Sequence, residues 1–147
     1  MKEVLNKRLE KLKAHYKALK DYHDFIIKLG NIYEPFEFSA LSLEERAVLE
    51  AYLKRFSSVQ DYLGAKIFPL LLDVKGIPYK KMSEVLSLME KEEIINLEEW
   101  IEFRNVRNEL EHDYPDEIKQ ALEDLKFCVE NFEKIEEIIK KVFEYVS

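Results

Sequence analysis

Hydrophobic positions near the amino terminus recur at steps of three and four residues. They are Val4 or Leu5, Leu9, Leu12, Tyr16, Leu19, Tyr22 or His23, and Ile26. This spacing places them on one stripe of a helix over about residues 2–29, and Gly30 is a natural helix stop. Because the stripe comes close to a seven-residue repeat, we expect the helix to pack lengthwise along another one, as in a bundle.

A second long stripe begins after a capping signal. Ser42 followed three residues later by Glu45 is the capping-box spacing, and it predicts a helix over residues 42–75. We expect Pro69 to kink this helix, because proline removes one backbone hydrogen bond and crowds the preceding turn. The segment before it, residues 31–41, is predicted to be a loop. The aromatic residues of that loop, expected to close one end of the bundle, are Tyr33, Phe36 and Phe38.

The remaining periodic segments predict two shorter helices, near residues 80–91 and 97–112, and one long final helix over 116–146 capped by Asp116. The stripe of the final helix is longer than a small monomer needs, so part of it is expected to face a second subunit. The sequence therefore predicts an all-α, up-and-down, four-helix-bundle-like domain with one or two extra short helices. We expect it to span residues 1–147 as a single domain and to form a homodimer.

Composition narrows the class of protein. With 147 residues, 47% of them hydrophobic, the chain suits one domain with a real core, and no segment alternates as a strand would. The net charge of −7 argues against a protein that coats nucleic acid non-specifically, and no DNA partner is expected.

The lone Cys128 is predicted to be a small core residue. No apolar run is long enough to span a bilayer and no signal peptide is evident, so we expect a cytoplasmic location without a membrane partner.

One short segment concentrates the polar chemistry of the chain. Residues 104–115 read Arg-Asn-Val-Arg-Asn-Glu-Leu-Glu-His-Asp-Tyr-Pro. On an ideal helix, Arg104, Asn108 and His112 fall on one ridge at steps of four, whereas Arg107 is five residues from His112 and lies well around the helix. Two routes could bring Arg107 and His112 together. The helix could loosen before Pro115, or a two-fold dimer could place two copies of the segment face to face.

These residue types suit chemistry on a phosphodiester. Histidine gives or takes a proton near neutral pH, so His112 is the candidate acid or base. Arg104 or Arg107 would hold the phosphate and stabilise its developing charge, and Asn108 would orient His112 or a ribose hydroxyl. The constellation requires no metal and no cofactor.

The order Arg-Asn-x-x-x-His-x-Tyr, formed by Arg107, Asn108, His112 and Tyr114, resembles the motif of HEPN-domain proteins. Within that group it resembles especially the HepT-like toxins and the related substrate-binding subunits of nucleotidyltransferases. The resemblance covers most of the chain and implies a homodimer with a shared cleft. It also implies metal-independent RNA cleavage to a cyclic phosphate, with Arg107 and His112 as the catalytic pair and Asn108 as the accompanying polar residue. Arg104 is implied as a supporting residue.

The same resemblance implies a partner. In HepT toxins a small MNT-type nucleotidyltransferase antitoxin silences the toxin by adding AMP to a tyrosine, and Tyr114 matches that tyrosine. The added negative charge would lie where substrate phosphate must bind.

Three alternatives stay open at this stage. Arg107 could simply pair with Glu109 or Glu111 on the helix surface. The carboxylates around His112 would repel an RNA backbone, which favours a non-catalytic subunit that docks a small nucleotidyltransferase and presents its substrate. A purely structural helical adaptor is the third alternative.

Overall fold

The computed structural model describes residues 1–113 and 116–147, and it confirms an all-α, bundle-like domain. No strand occurs within those two ranges. None of the helices described is both long enough and apolar enough to cross a bilayer. The helices are α1 (Lys2–Lys28), α2 (Pro35–Ser39), α3 (Leu43–Tyr62), α4 (Phe68–Lys75), α5 (Met82–Lys91), α6 (Leu97–Asp113), α7 (Ile118–Glu130) and α8 (Phe132–Val146).

Two helix pairings organise the core. The first helix lies against α3, as its stripe predicts, and buries Leu12, Leu19 and Ile26. The second pairing is that of α6 with α7. The buried side chains of these helices join in one hydrophobic cluster that includes Cys128, so the prediction of a core cysteine is confirmed. Burial raises the pKa of the Cys128 thiol to about 12, which keeps it protonated and unreactive.

The helix predicted over residues 42–75 is interrupted by a π-helical turn over Leu63–Ile67. The turn ends just before Pro69, which lies in the first turn of α4. A proline there has no N–H to donate to a carbonyl four residues back, so regular α-helical bonding cannot run through this point. The guanidinium of Arg8 reaches across from α1 and donates to the carbonyl oxygen of Lys66 at 2.8 Å. The irregularity is therefore a wider turn in front of the proline, held by a neighbouring helix.

The prediction of a single helix over 116–146 is wrong, because the chain breaks at Asn131 between α7 and α8. The Asn131 side-chain amide donates to the carbonyl oxygen of Phe127 at 2.9 Å. Asparagine side chains compete in this way with regular helical bonding. Asp116 is not the cap expected, since α7 is preceded by Glu117, which makes no side-chain capping bond.

The segment over residues 31–41 also differs from its prediction. It contains the five-residue helix α2, with Pro35 in its first turn, where proline is well tolerated. Phe38 is buried, whereas Phe36 is 80% exposed. Phe36 therefore does not help to close the end of the bundle.

The capping box at the start of α3 is confirmed. The Ser42 N–H donates to Glu45 Oε1 at 2.8 Å, and the Glu45 N–H donates to Ser42 Oγ at 3.0 Å. Replacing Ser42 with alanine should lower the free energy of unfolding by about 1 kcal/mol, because it leaves a helix N–H without its acceptor. Urea denaturation of wild type and variant would measure this. Ser87→Ala, at an exposed position inside α5, should cause no comparable loss.

Candidate functional site

A cleft of about 500 Å³ lies between α3 and α6 and contains part of the predicted motif. The cleft has apolar walls contributed by both helices and by α7, and a rim of charged and hydroxyl side chains. Its lining residues are Glu50, Leu53, Lys54, Phe56, Ser57, Ser58, Asp61, Arg107, Leu110, Glu111 and Cys128. A volume of this order is typical of a small-ligand site.

Arg107 is the motif residue that the structure fixes most firmly. Its side chain is only 14% exposed, and its Nη1 forms an ion pair with Asp61 of α3. Its Nη2 donates to Asn108 Oδ1 at 3.0 Å, while its buried Nε finds no hydrogen-bond partner in residues 1–113 and 116–147. A guanidinium held from two sides in this way has a defined orientation, and its Nε–H is among the donors that remain uncommitted.

Glu111 lines the same cleft one helical turn beyond Arg107. Its carboxylate accepts a hydrogen bond from the Ser57 hydroxyl of α3. The pairing of Arg107 with Glu109 or Glu111, which the sequence left open, is absent from the ion pairs of the described residues, where Asp61 is the partner. Two side-chain contacts therefore hold α6 against α3. Arg107 pairs with Asp61, and Glu111 pairs with Ser57.

A smaller cavity of about 230 Å³ lies on the other side of Arg107 and includes Arg104. It is bounded by Trp100 of α6 and by Gly64 in the π-helical turn. Buried Gln60 donates from Nε2 to the Trp100 carbonyl oxygen at 3.4 Å, while its Oε1 lacks a partner. The π-helical turn thus lines the smaller cavity, which shares Arg107 with the cleft, and such turns are frequent at functional sites.

His112 lies apart from the cleft. It is exposed near the carboxyl end of α6 and is not among the residues that line the cleft. Three carboxylate oxygens, from Glu109 and Asp113 of α6 and from Asp124 of α7, lie within 4.8 Å of one another. Burial, followed by the negative charge of Glu109, raises the pKa of Asp124 to about 6. His112 therefore has an acidic group of side chains beside it.

The structure brings some of the predicted site residues together and leaves others apart. Arg107 and Asn108 are in direct contact, and Arg104 shares the smaller cavity with Arg107. His112 does not join them within one chain, as the five-residue spacing from Arg107 predicts. Tyr114, expected to be the regulatory residue, lies outside the described residues.

Sequence reasoning missed three residues that shape this region: Ser57, Asp61 and Asp124. Ser57 and Asp61 sit four residues apart on the face of α3 towards α6, but their partners are about 50 residues away, which no local pattern reveals. Asp124 did leave a signal. It is a carboxylate among the buried positions of α7, beside Leu125 and one turn before Cys128, where a charge is costly.

No protein-family model, curated protein or solved structure matches this chain.

Proposed function

We propose that the protein is a HepT-like HEPN toxin, a metal-independent endoribonuclease of a toxin-antitoxin pair. The observation that carries the proposal is the arrangement of Arg107, whose guanidinium is fixed by Asp61 and Asn108 at the wall of a 500 Å³ cleft. An oriented guanidinium beside a cavity is suited to grip a phosphate group. Arg104, one turn earlier on α6, adds a second positive charge in the neighbouring smaller cavity.

In the proposed reaction, the ribose 2′-hydroxyl attacks the adjacent phosphorus. A bond forms between the 2′-oxygen and phosphorus, and the bond from phosphorus to the 5′-oxygen breaks. His112 takes the proton from the 2′-hydroxyl while water gives one to the departing 5′-oxygen, or His112 gives the proton to the 5′-oxygen while water takes that of the 2′-hydroxyl. Arg107 stabilises the negative charge on the phosphate oxygens, and the products are a 2′,3′-cyclic phosphate and a 5′-hydroxyl end.

The proposal includes a homodimer, because one chain does not assemble the whole site. His112 is exposed and outside the cleft that Arg107 lines. A second copy related by a two-fold axis would place its own α6 opposite the first and allow an arginine and a histidine from different copies to face one phosphate. Light scattering coupled to size-exclusion chromatography would test this, with a mass of twice 17.6 kDa expected.

We further propose that a small nucleotidyltransferase of the MNT type is the antitoxin and that it adds AMP to Tyr114. Two facts support Tyr114 as the modified residue, namely its position in the sequence and the charge of the group that would be added. Tyr114 follows His112 by two residues, so an added phosphate would bring negative charge next to the proposed acid or base.

The second candidate function is a non-catalytic subunit that binds a small nucleotidyltransferase and presents its substrate. The observation that favours it is the acidic group beside His112, since Glu109, Asp113 and Asp124 would repel an RNA backbone. The same carboxylates would attract a basic partner surface.

Incubating the purified dimer with total RNA in EDTA, and analysing the fragment ends, separates the two functions. A double variant, Arg107→Ala with His112→Ala, prepared in parallel, controls for contaminating ribonuclease. Cyclic phosphate ends made only by wild type would support the endoribonuclease. Intact RNA with both samples, given a folded protein free of AMP and of antitoxin, would reject it in favour of the partner subunit.

A further inference from the structure

Three carboxylates from two helices converge near the carboxyl end of α6. Glu109 and Asp113 lie one turn apart on α6, and Asp124 approaches from α7. Each contributes one oxygen, and the three oxygens lie within 4.8 Å of one another. The group forms only because α6 packs against α7, since its members lie on both sides of the connection between these helices. No short stretch of the sequence contains all three residues.

Within the part of the chain that the structure describes, this group has no ion-pair partner, since no lysine, arginine or histidine pairs with any of the three carboxylates. Asp124 is only 7% exposed, and no donor among the described residues reaches its Oδ2. Its Oδ1 accepts a bond from the Gln120 amide at 3.3 Å, which is a neutral donor. A buried carboxylate that faces two others requires a proton or a cation to be stable.

We propose that Glu109, Asp113 and Asp124 bind one divalent cation of the oxygen-preferring class, namely Mg²⁺, Ca²⁺ or Mn²⁺. Such ions hold ligand oxygens at about 2.0–2.6 Å, so two oxygens on one ion lie at most about 4–5 Å apart. The observed limit of 4.8 Å fits that geometry. The ligand set contains only carboxylate oxygen, without nitrogen or sulfur, which suits these hard cations rather than zinc or copper.

The exposure of the three residues leaves room for the rest of the coordination shell. Glu109 is exposed and Asp113 is partly exposed, while Asp124 closes the inner side. Water would therefore occupy the outer positions, as is usual for Mg²⁺ and common for Ca²⁺. One ion would tie α6 to α7 and reduce the local charge of the group from −3 to −1 beside His112.

This cation is structural and lies outside the proposed cleavage chemistry, so the inference goes beyond the proposed function and does not depend on it. Its effect on His112 is through local charge, and its effect on the fold is through a bridge between two helices. Both effects are measurable on a protein that cleaves no RNA at all.

The test is a calorimetric titration of the full chain, treated with EDTA and dialysed, with CaCl₂, MgCl₂ and MnCl₂ at pH 7.5. We expect one ion per chain for at least one of the three salts. We also expect Tm to rise by about 3–8 °C at a saturating concentration of that salt. Asp124→Asn and Glu109→Gln should each weaken binding at least tenfold. Glu123→Gln removes an exposed carboxylate next to Asp124 that is outside the group, and it should bind as wild type does.

Two results would overturn the proposal. One is the absence of saturable binding with all three salts. The other is wild-type affinity in either Asp124→Asn or Glu109→Gln, with circular dichroism confirming that each variant is folded. Glu109 is exposed, so its replacement tests the site at a position where misfolding is not expected.

Discussion

In the proposed endoribonuclease, replacing His112 with alanine should lower the rate of RNA cleavage by about 10²–10⁴-fold, the contribution typical of a general acid or base. The loss should appear in kcat more than in KM, because the proton is transferred in the transition state and not when the substrate binds. The measurement is single-turnover cleavage of a labelled RNA in EDTA. A folded His112→Ala dimer that cleaves within threefold of wild type would contradict the assigned role.

The proposed role of Arg107 can be tested in the same cleavage assay. Replacing it with lysine should still cost about 10²–10³-fold, because an ammonium group cannot reproduce the two-sided hold of Asp61 and Asn108 or a forked contact with phosphate. Arg46→Lys, at an exposed position near the start of α3, is the matched control and should leave cleavage unchanged. Equal activity of the two lysine variants would remove Arg107 from the proposed mechanism.

Replacing Asp124 with asparagine should stabilise the cation-free protein at pH 7.5 by about 1–3 kcal/mol. The pKa of Asp124 is raised to about 6 in the fold from an ordinary value of 3.8. Below pH 3.8 the carboxyl is protonated in both states and has no effect on stability. Between pH 3.8 and 6 it ionises only in the unfolded chain, so stability falls as pH rises, at about 1.4 kcal/mol per unit. Above pH 6 the Asp124 carboxylate is ionised in the folded protein too, and the loss of stability has reached its full size. The asparagine variant carries no such charge and avoids this loss.

Urea denaturation of wild type and Asp124→Asn in EDTA, from pH 4 to pH 7.5, would measure this difference. The two proteins should have nearly equal stability at pH 4, and the variant should gain progressively up to about pH 6. Glu123→Gln should show no such trend, since Glu123 is exposed. A difference that stays constant with pH would contradict the assignment of the effect to the Asp124 charge. A saturating divalent cation should reduce the advantage of the variant.

Local signals in the sequence were sufficient for most of the fold. The capping pair Ser42 and Glu45 and the helix stop at Gly30 marked helix ends that the structure confirms, and Gly30 has a left-handed backbone conformation. The break at Asn131 was missed because the hydrophobic stripe continues through it. The interruption depends on one side-chain amide that bonds to Phe127, and that bond leaves no trace in the periodicity.

The candidate site was predictable in part for a similar reason. The segment carrying Arg107, Asn108 and His112 is contiguous in sequence, so its position and helical phase could be predicted. Asp61 and Asp124 could not be assigned to it in advance, because they reach it from α3 and α7 through packing. Helix phase also predicted that Arg107 and His112 would diverge, and this is why the proposed site needs a second copy.

The π-helical turn over Leu63–Ile67 fixes the rotational register between two buried faces. A π turn is in effect an α-helix with one extra residue, and each residue of an α-helix advances about 100° around its axis. If the same residues were wound as a regular α-helix, the side chains of α4 would be turned by about that angle relative to those of α3. Leu71 and Leu72, which are fully buried, would then point away from the core that Phe56 and Leu63 occupy. The extra residue therefore shifts the rotational phase of α4 relative to α3. Each of the two consecutive helices can then direct its own buried side chains into the core.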